Sequence, residues 1–257
     1  MSLSVVKQPL IDEGVLTAGE LGLIGSALLF VYAVGKFMNG FIADYCNVRR
    51  FMATGLFVSA LVNLLMGVLG LMKGPAALPS VLIFMSFAVL WGINGWVQSM
   101  GSPPGVISLS RWFPQSKRGT YYSMFSSSPY IGEFLSFIIT GVVVGALGWE
   151  YGFVVAALAG VVGSLIILFF VSDTPESKGL APVEILAGEM TPEEYETAQA
   201  EKKAQAAAAN ADKDEVSALQ KKVLLTPGVW IIALSSAFMY ISRYAINGWG
   251  TLFLQKV

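Results

Sequence analysis

The chain has 257 residues, of which 55% are hydrophobic and 13% are charged, whereas an ordinary soluble domain is about 45–50% apolar and about 25% charged. This composition indicates a membrane protein and excludes a soluble enzyme and a disordered chain. A net charge of −1 provides no basic field for phosphate backbones, so a nucleic-acid-binding protein is excluded as well.

The side chains available for catalysis or metal binding are few. The chain has no histidine and one cysteine, Cys46, which excludes an internal disulfide, a Cys/His metal site and a histidine-based triad. Glutamates and lysines are present, but none are paired at a spacing that suits acid–base catalysis. We therefore expect no metal, no cofactor and no enzymatic activity.

Long runs with few charges predict the elements in chain order. A helix needs about 20 residues to cross roughly 30 Å of hydrocarbon. Five such runs predict an N-terminal transmembrane bundle within residues 1–172, with spans at about 21–43, 51–72, 79–110, 119–149 and 151–172. The third run is too long for one straight helix, and its prolines predict a bend at residues 101–104.

Residues 173–222 differ in composition from the rest of the chain. They hold about half of all the charged side chains and are rich in Ala, Glu and Lys. Residues 193–210 have good helix propensity but little apolar stripe, which predicts a solvated, partly helical central loop. Residues 223–257 contain a sixth uncharged run, interrupted by Arg243, which predicts the first helix of a second bundle.

The positions of basic residues predict the orientation of the spans. Arg49 and Arg50 follow the first span, and Arg111 and Arg118 lie between the third and the fourth. Because Lys and Arg are enriched in cytoplasmic loops, these loops and residues 173–222 are expected in the cytoplasm, with the N-terminus outside. No secretory signal begins the chain, so we expect a hydrophobic helix to precede these spans, one that the chain lacks.

Two basic residues lie within predicted spans, Lys36 and Arg243. Each costs roughly 2.5–3.5 kcal/mol near the bilayer centre on insertion scales, so each needs a reason. Lys36 can snorkel or pair, and Arg243 can pair with Glu133. The interpretation we favour is an internal aqueous cavity, in which the arginine fork and the mobile lysine charge suit a dianionic organic phosphate.

Three further residues extend this candidate site. Tyr32 and Tyr240 fall on the same helical faces as the two cations, where a phenol can donate to phosphate or stack on a sugar. The alternative for both is a packing or interfacial role. Glu133, the remaining ionisable residue within the spans, can pair with a cation, carry a proton or stay neutral, and the sequence leaves these roles open.

Four motifs, in order along nearly the whole chain, carry a resemblance to a known family. The run from Gly40 to Arg50, with Asp44 and Arg49, resembles the loop between helices two and three of the major facilitator superfamily. Three further stretches narrow the resemblance to one family within this superfamily. They are residues 100–119, which include Arg118, residues 173–180 and residues 240–249. Together they resemble the organophosphate:inorganic phosphate antiporters, which include the glycerol-3-phosphate and hexose-6-phosphate transporters.

The resemblance implies an all-α, major facilitator-like helical bundle whose six spans match helices two to seven of a twelve-helix fold. It implies that Arg243 and Tyr240 match the phosphate-binding arginine and the nearby tyrosine of helix seven. Lys36 and Tyr32 match the lysine and tyrosine of helix two. The chain departs from the family where a histidine of helix five becomes Pro129, and the partner arginine of helix one would precede Met1.

The expected function follows from this resemblance. It is a secondary transporter, a multi-pass protein of the lipid bilayer in the bacterial cytoplasmic (inner) membrane, that exchanges an organic phosphate for inorganic phosphate. The chain is expected to be truncated, lacking the first helix and most of the C-terminal bundle, and monomeric when complete. The alternatives are a transporter-like sugar-phosphate sensor acting with a membrane histidine kinase and a non-functional fragment.

Overall fold

The computed structural model describes residues 2–72, 79–211 and 225–256, and among them the regular elements are all helical. The predicted all-α fold is therefore confirmed. The chain divides into two compact units, Met1–Leu180 together with Thr251–Val257, and Ala181–Gly250. Each unit is described by itself.

The described part of residues 1–180 forms seven α-helices and one short 3-10 helix, Glu176–Lys178. The α-helices are α1 Ser2–Asp12, α2 Ala18–Tyr45, α3 Val48–Leu71, α4 Ser80–Gln98, α5 Ser102–Trp112, α6 Arg118–Leu147 and α7 Trp149–Phe170. Among the described residues, five segments are long and apolar enough to cross a membrane, namely Ala18–Ala43, Val48–Leu71, Ser80–Trp112, Arg118–Leu147 and Trp149–Phe170. The third of these combines α4 and α5.

Local capping residues determine where α2 and α3 begin. The Thr17 hydroxyl accepts from the Glu20 amide at 3.3 Å, while the Glu20 carboxylate accepts from the Thr17 amide at 2.7 Å. This reciprocal capping box satisfies two of the free N–H groups at the start of α2. At the start of α3, the Asn47 side chain accepts from the Arg50 amide at 3.0 Å.

The break between α4 and α5 lies at the predicted bend. α4 ends at Gln98, and α5 begins at Ser102 with Pro103 in its first turn. Proline is tolerated there because the first helical amides have no partner within the helix. One predicted span therefore consists of two helices that meet near Gly101.

The turn between α6 and α7 lies two residues earlier than the sequence analysis placed it. The predicted boundary was the charge at Glu150, whereas the helices separate at Gly148, whose φ of 107° is accessible chiefly to glycine. Glu150 instead lies in the first turn of α7 and is 6% exposed. A carboxylate is favourable at this end of a helix because of the helix dipole.

An aromatic cluster forms the centre of the first unit. Phe87 of α4 and Trp149 and Phe153 of α7 pack edge to face, with ring centroids 6.1 to 6.4 Å apart. Such pairs contribute about 0.5–1.5 kcal/mol each beyond their buried area. Leu21 of α2 and Met66 of α3 belong to the same buried core.

Helix α1 was not predicted from the sequence. Val6 and Leu10 are fully buried, and Lys7 is 5% exposed, because α1 packs against α6 and α7. The Trp149 indole donates to the Glu13 carboxylate at 3.2 Å just after the helix. The charges among the first 13 residues keep their hydropathy below that of a span, so only these distant contacts reveal the helix.

The second unit begins after Leu180, beyond the boundary at residue 172 that we predicted for the N-terminal bundle. It contains the short helix α8, Val183–Leu186, and the helix α9, Pro192–Ala211, which is mostly exposed over residues 192–201. Helix α9 covers the stretch for which we predicted helix propensity. The last helix, α10, spans Pro227–Lys256 and covers the predicted sixth span.

Candidate functional site

Lys36 and Tyr32 lie one turn apart on α2. The Lys36 side chain is exposed and that of Tyr32 is half-buried. The Lys36 Nζ atom lies 5.8 Å from the centroid of the Tyr32 ring, within the range of a cation–π interaction. The two side chains therefore form one polar patch on a helix that is long and apolar enough to cross the membrane.

Arg243 and Tyr240 lie three residues apart on α10. Arg243 is half-buried, and Tyr240 is 49% exposed. Tyr244, which was not singled out from the sequence, stacks on Tyr240 with ring centroids 6.0 Å apart and 25° between the planes. The arginine is therefore followed on its helix by the second of two stacked phenol rings.

The two cations belong to different compact units. Lys36 lies in the unit that spans Met1–Leu180, and Arg243 lies in the unit that spans Ala181–Gly250. That they share one phosphate site is an expectation from the sequence, and it stays a prediction. The structure does bring Lys36 and Tyr32 together, and it places Arg243 on the same helix as the stacked Tyr240 and Tyr244.

Glu133 is a half-buried residue on α6. A polar stripe with helical spacing passes through it, formed by Ser126, Tyr130, Glu133, Ser136 and Thr140. Pro129 lies inside the helix, and because proline has no N–H, the Phe125 carbonyl loses its helical donor. The Ser128 hydroxyl donates to that carbonyl at 2.7 Å instead. The roles predicted for Glu133 stay predictions.

The residues of the loop motif lie at the ends of α2 and α3. Gly40 and Arg49 are half-buried, Arg50 is exposed, and Asp44 lies in α2 with a side chain outside the described set. Arg118 has a clear structural role at the next turn, because its guanidinium donates to the carbonyl oxygens of Phe113 at 3.0 Å and Ser110 at 2.9 Å.

Those two carbonyl oxygens lie at the C-terminal end of α5. The last carbonyl groups of a helix have no donor within the helix, and a cation there also interacts favourably with the helix dipole. Arg118 therefore holds the start of α6 against the end of α5.

Sequence reasoning missed a cluster centred on Asp173, which follows α7. The Asp173 carboxylate accepts from the Val48 amide at 2.9 Å and from the Arg111 guanidinium at 3.0 Å. Beside it, the Trp112 indole donates to the Ser172 carbonyl at 2.9 Å. These contacts join the ends of α3, α5 and α7. The sequence contained a signal, since Asp173 and Arg111 both lie in motifs that were singled out.

Sequence reasoning also missed the residues that hold α2 against α4 beside Lys36. The Asn39 side-chain amide donates to the Ser99 hydroxyl at 2.7 Å and to the Trp96 carbonyl at 3.4 Å. The Ser99 hydroxyl in turn donates to the Trp96 carbonyl at 2.6 Å. Asn39 is 1% exposed and Ser99 is fully buried. A buried hydrogen-bonded group therefore lies one turn from Lys36.

Two features of the site bear on metals and catalysis. Among the residues that the structure describes, no group of three or more His, Cys, Asp or Glu side chains is arranged to hold a metal ion. The four predicted site residues on α2 and α10 are two cations, Lys36 and Arg243, and two phenols, Tyr32 and Tyr240, side chains that bind anions and stack on rings.

Comparison with known proteins identifies the family. The model of the Major Facilitator Superfamily matches residues 2–257. A probable hexose phosphate transport protein of Chlamydia pneumoniae is 34% identical over 235 residues, covering 91% of this chain and 49% of that protein. The glycerol-3-phosphate transporter of Bacillus subtilis is 32% identical over 249 residues, covering 96% of this chain and 52% of that protein.

A third relative is named as a sensor and not as a transporter. The membrane sensor protein UhpC of Salmonella typhimurium is 29% identical over 255 residues, covering 99% of this chain and 52% of that protein. The chain thus spans about half the length of the curated relatives it matches.

The resemblance to hexose- and glycerol-phosphate transporters is confirmed, as is the expectation of a transport family rather than an enzyme. The chain belongs to the major facilitator superfamily and is an integral, multi-pass membrane protein.

Proposed function

We propose that this protein acts as a secondary transporter that exchanges an organic phosphate ester for inorganic phosphate across the bacterial cytoplasmic membrane. The ester is of the hexose-6-phosphate or glycerol-3-phosphate class. The observation that carries the proposal is the exposed Lys36 ammonium beside Tyr32 on a membrane-spanning helix. A lysine facing lipid there costs several kcal/mol, so its face of α2 is best explained by a water-filled pathway for an anion.

The chemistry of the two cations favours phosphate over other anions. An arginine binds two phosphate oxygens through its planar fork, and a lysine adds a mobile point charge. Arg243 and Lys36 therefore suit a dianion, while Tyr240 and Tyr32 suit the organic part of the ester. The relatives named as hexose phosphate and glycerol-3-phosphate transporters support this ligand class.

Exchange requires the site to face each side of the membrane in turn. In transporters built from two facing bundles, one bundle rocks against the other around a central site. We assign the loop motif with Gly40, Asp44, Arg49 and Arg50 to this conformational change. Glu133, on the polar stripe of α6, acts in it as an ion-pair partner or a proton site.

The test is exchange in proteoliposomes loaded with inorganic phosphate and supplied with radiolabelled glucose-6-phosphate or glycerol-3-phosphate. Hydrogen bonds to charged groups contribute about 1.5–3 kcal/mol, so Arg243→Ala and Lys36→Met should each lower exchange about ten- to a hundredfold. Lys117→Met, at an exposed lysine in the turn before α6, is the matched control and should leave exchange unchanged. Full exchange by Arg243→Ala would disprove the site.

A sensor is the second candidate function, and one observation favours it. UhpC, a relative named as a membrane sensor protein, aligns with 99% of this chain. A sensor would bind a hexose phosphate without transporting it and would co-purify with a membrane histidine kinase. Binding by the purified protein without uptake in proteoliposomes would therefore favour the sensor over the transporter.

A further inference from the structure

We infer that Asn39 and Ser99 form a hydrogen-bonded pair that positions Lys36 for phosphate binding. Asn39 is then a positioning residue of the transport site, acting through the orientation of α2 and not through contact with the ligand. The inference rests on the proposed function, because it takes Lys36 as a phosphate-binding residue. It names two residues, on α2 and at the α4–α5 break, that the motifs do not identify.

The pair closes a small buried hydrogen-bond ring. The Asn39 amide donates to both the Ser99 hydroxyl and the Trp96 carbonyl, and the Ser99 hydroxyl donates to the same carbonyl. Both side chains are almost completely buried. The ring therefore fixes α2 to the last turn of α4, where the third membrane span breaks.

Gly35 lies against the same serine. A Cβ atom placed on Gly35 would lie only 2.6 Å from the Ser99 Oγ atom and 3.4 Å from the Trp96 ring. A side chain at this position would therefore force the Ser99 hydroxyl to move out of its hydrogen bonds. Close approach at Gly35 and the hydrogen bond at Asn39, one turn later, together fix the rotation and the height of α2.

Lys36 lies within that turn. Successive residues of a helix are rotated by about 100°, so Gly35 and Asn39 face α4 while Lys36 points from a neighbouring face, where its side chain is exposed. Any rotation of α2 about its axis moves the Lys36 ammonium sideways. The ring that fixes the helix therefore also fixes the direction from which the ammonium reaches an anion.

Hydrogen bonding fixes this orientation more sharply than apolar packing does. A rotation that withdraws Asn39 from Ser99 leaves a buried amide and a buried hydroxyl without partners, which is costly away from water. Sliding one apolar side chain over another carries no such penalty. The lysine stem has several rotatable bonds, so a fixed helix orientation is what limits the positions of its charge.

A second buried pair provides a matched control. The Ser59 hydroxyl of α3 donates to the Asn94 side chain of α4 at 2.6 Å, and both residues are buried. This pair also joins two spans through a serine and an asparagine, but it does not involve α2. Ser99→Ala and Ser59→Ala are therefore the same chemical change in similar surroundings, one beside Lys36 and one not.

The experiment compares wild type, Asn39→Ala, Ser99→Ala and Ser59→Ala as purified proteins in detergent. Inorganic phosphate is the probe, with its Kd measured by titration calorimetry and the melting temperature of each variant measured in parallel. Loss of one neutral hydrogen bond should raise the Kd about three- to tenfold for Asn39→Ala and Ser99→Ala. Ser59→Ala should lower the melting temperature without changing the Kd. In proteoliposomes, Ser99→Ala should raise the KM for phosphate more than it lowers kcat.

Different results separate the inference from the proposed function. Absence of phosphate binding and exchange by the wild type would disprove the proposed function, and the inference would fail with it. If the wild type binds phosphate and Lys36→Met does not, while Ser99→Ala keeps the wild-type Kd, the pair is structural only and the inference is wrong. Ser99→Ala is the smaller change, and it provides this answer even if Asn39→Ala fails to fold.

Discussion

Lys7 is a cation in the core of the first unit. It lies on α1, outside the five candidate spans, and only 5% of its surface is exposed. Burial lowers the pKa of its ammonium from the ordinary value of 10.5 to about 8. The charged form therefore destabilises the folded chain relative to the unfolded chain.

Replacing this lysine should change how stability depends on pH. Between pH 8 and 10.5 the unfolded chain binds more protons at residue 7, so the free energy of unfolding of the wild type rises with pH across that window. Below pH 8 the whole penalty is present. Lys7→Met should remove it, adding up to roughly 3 kcal/mol at pH 7 and nothing above pH 10.5.

Unfolding in detergent, measured at several pH values, tests this prediction. Lys117→Met is the control, because it makes the same substitution at an exposed lysine. A constant difference between Lys7→Met and wild type from pH 7 to pH 11 would show that residue 7 does not titrate as burial predicts.

Some site residues can be recognised from the sequence alone, and others cannot. Lys36 and Arg243 could be singled out because a charge within an apolar run is conspicuous and needs a reason. Asn39 and Ser99 could not, because polar residues of ordinary kind become significant only as partners, and these two lie far apart in the chain. Pairing across helices depends on the packing of α2 on α4, which periodicity does not encode.

At the scale of elements, glycines set the distance between α2 and α4. A Cβ atom on Gly95 would lie 2.5 Å from the Leu28 carbonyl oxygen, whereas the nearest neighbour of one on Gly92 is Val31 Cγ2 at 4.0 Å. Small residues at such contacts allow two membrane helices to approach closely. The two glycines lie on the same helix, one turn apart, but only Gly95 lies too close to the α2 backbone to admit a Cβ atom.

Gly95→Ala and Gly92→Ala should therefore have different effects. The added methyl group at residue 95 meets backbone, which cannot rotate away, and should lower the stability by about 1–3 kcal/mol. At residue 92 it has space, and the better helix propensity of alanine should add up to about 1 kcal/mol. Thermal unfolding of both variants in detergent measures the difference, and equal melting temperatures would contradict the close contact at Gly95.

The helices were predicted correctly where apolar runs are long. The prediction failed where charged residues interrupt those runs. The α4–α5 break follows from its prolines, which act locally. Helix α1 was missed because its burial depends on α6 and α7, and the α6–α7 turn was misplaced because Glu150 looked like a boundary. In both cases a charged residue is buried through contacts that no local pattern contains.

At the scale of the molecule, Asp173 joins three spans at one end of the first unit. Its carboxylate receives the Val48 amide, at the start of α3, and the Arg111 guanidinium, in the last turn of α5. The Asp173 carboxylate is favourable at the N-terminus of α3, and the Arg111 guanidinium is favourable at the C-terminus of α5, because a helix N-terminus favours an anion and a C-terminus favours a cation. The α7 end is therefore tied to two other helices through one side chain.

Removing this carboxylate should loosen that end of the bundle in two separable steps. Asp173→Asn keeps an acceptor for the Val48 amide and loses the ion pair, which is partly exposed and worth about 0.2–1 kcal/mol. Asp173→Ala loses both and should cost about 1–2 kcal/mol. In a double-mutant cycle, Arg111→Ala should add little in the Asp173→Ala background, and full additivity would show that the pair is not coupled.

The same ends should face the cytoplasm, and Cys46 allows a direct test. It is the single cysteine of the chain, half-buried at the end of α2 and two residues before Val48. If the arginine-bearing loops are cytoplasmic, a membrane-impermeant maleimide should label Cys46 in inside-out vesicles and not in intact cells. Leu147→Cys in a Cys46→Ser background is the matched control, since Leu147 is 62% exposed at the other end of the bundle.

That control should be labelled in intact cells and not in inside-out vesicles, because α6 starts beside the Asp173 end and finishes at Leu147. Labelling of Cys46 from outside would reverse the predicted orientation, and labelling of both cysteines from one side would contradict the path of α6 across the membrane. Labelling of Cys46 only in inside-out vesicles, and of Leu147→Cys only in intact cells, would place Arg49, Arg50 and Arg118 on the cytoplasmic side. An anion entering past Lys36 would then leave the membrane among basic residues.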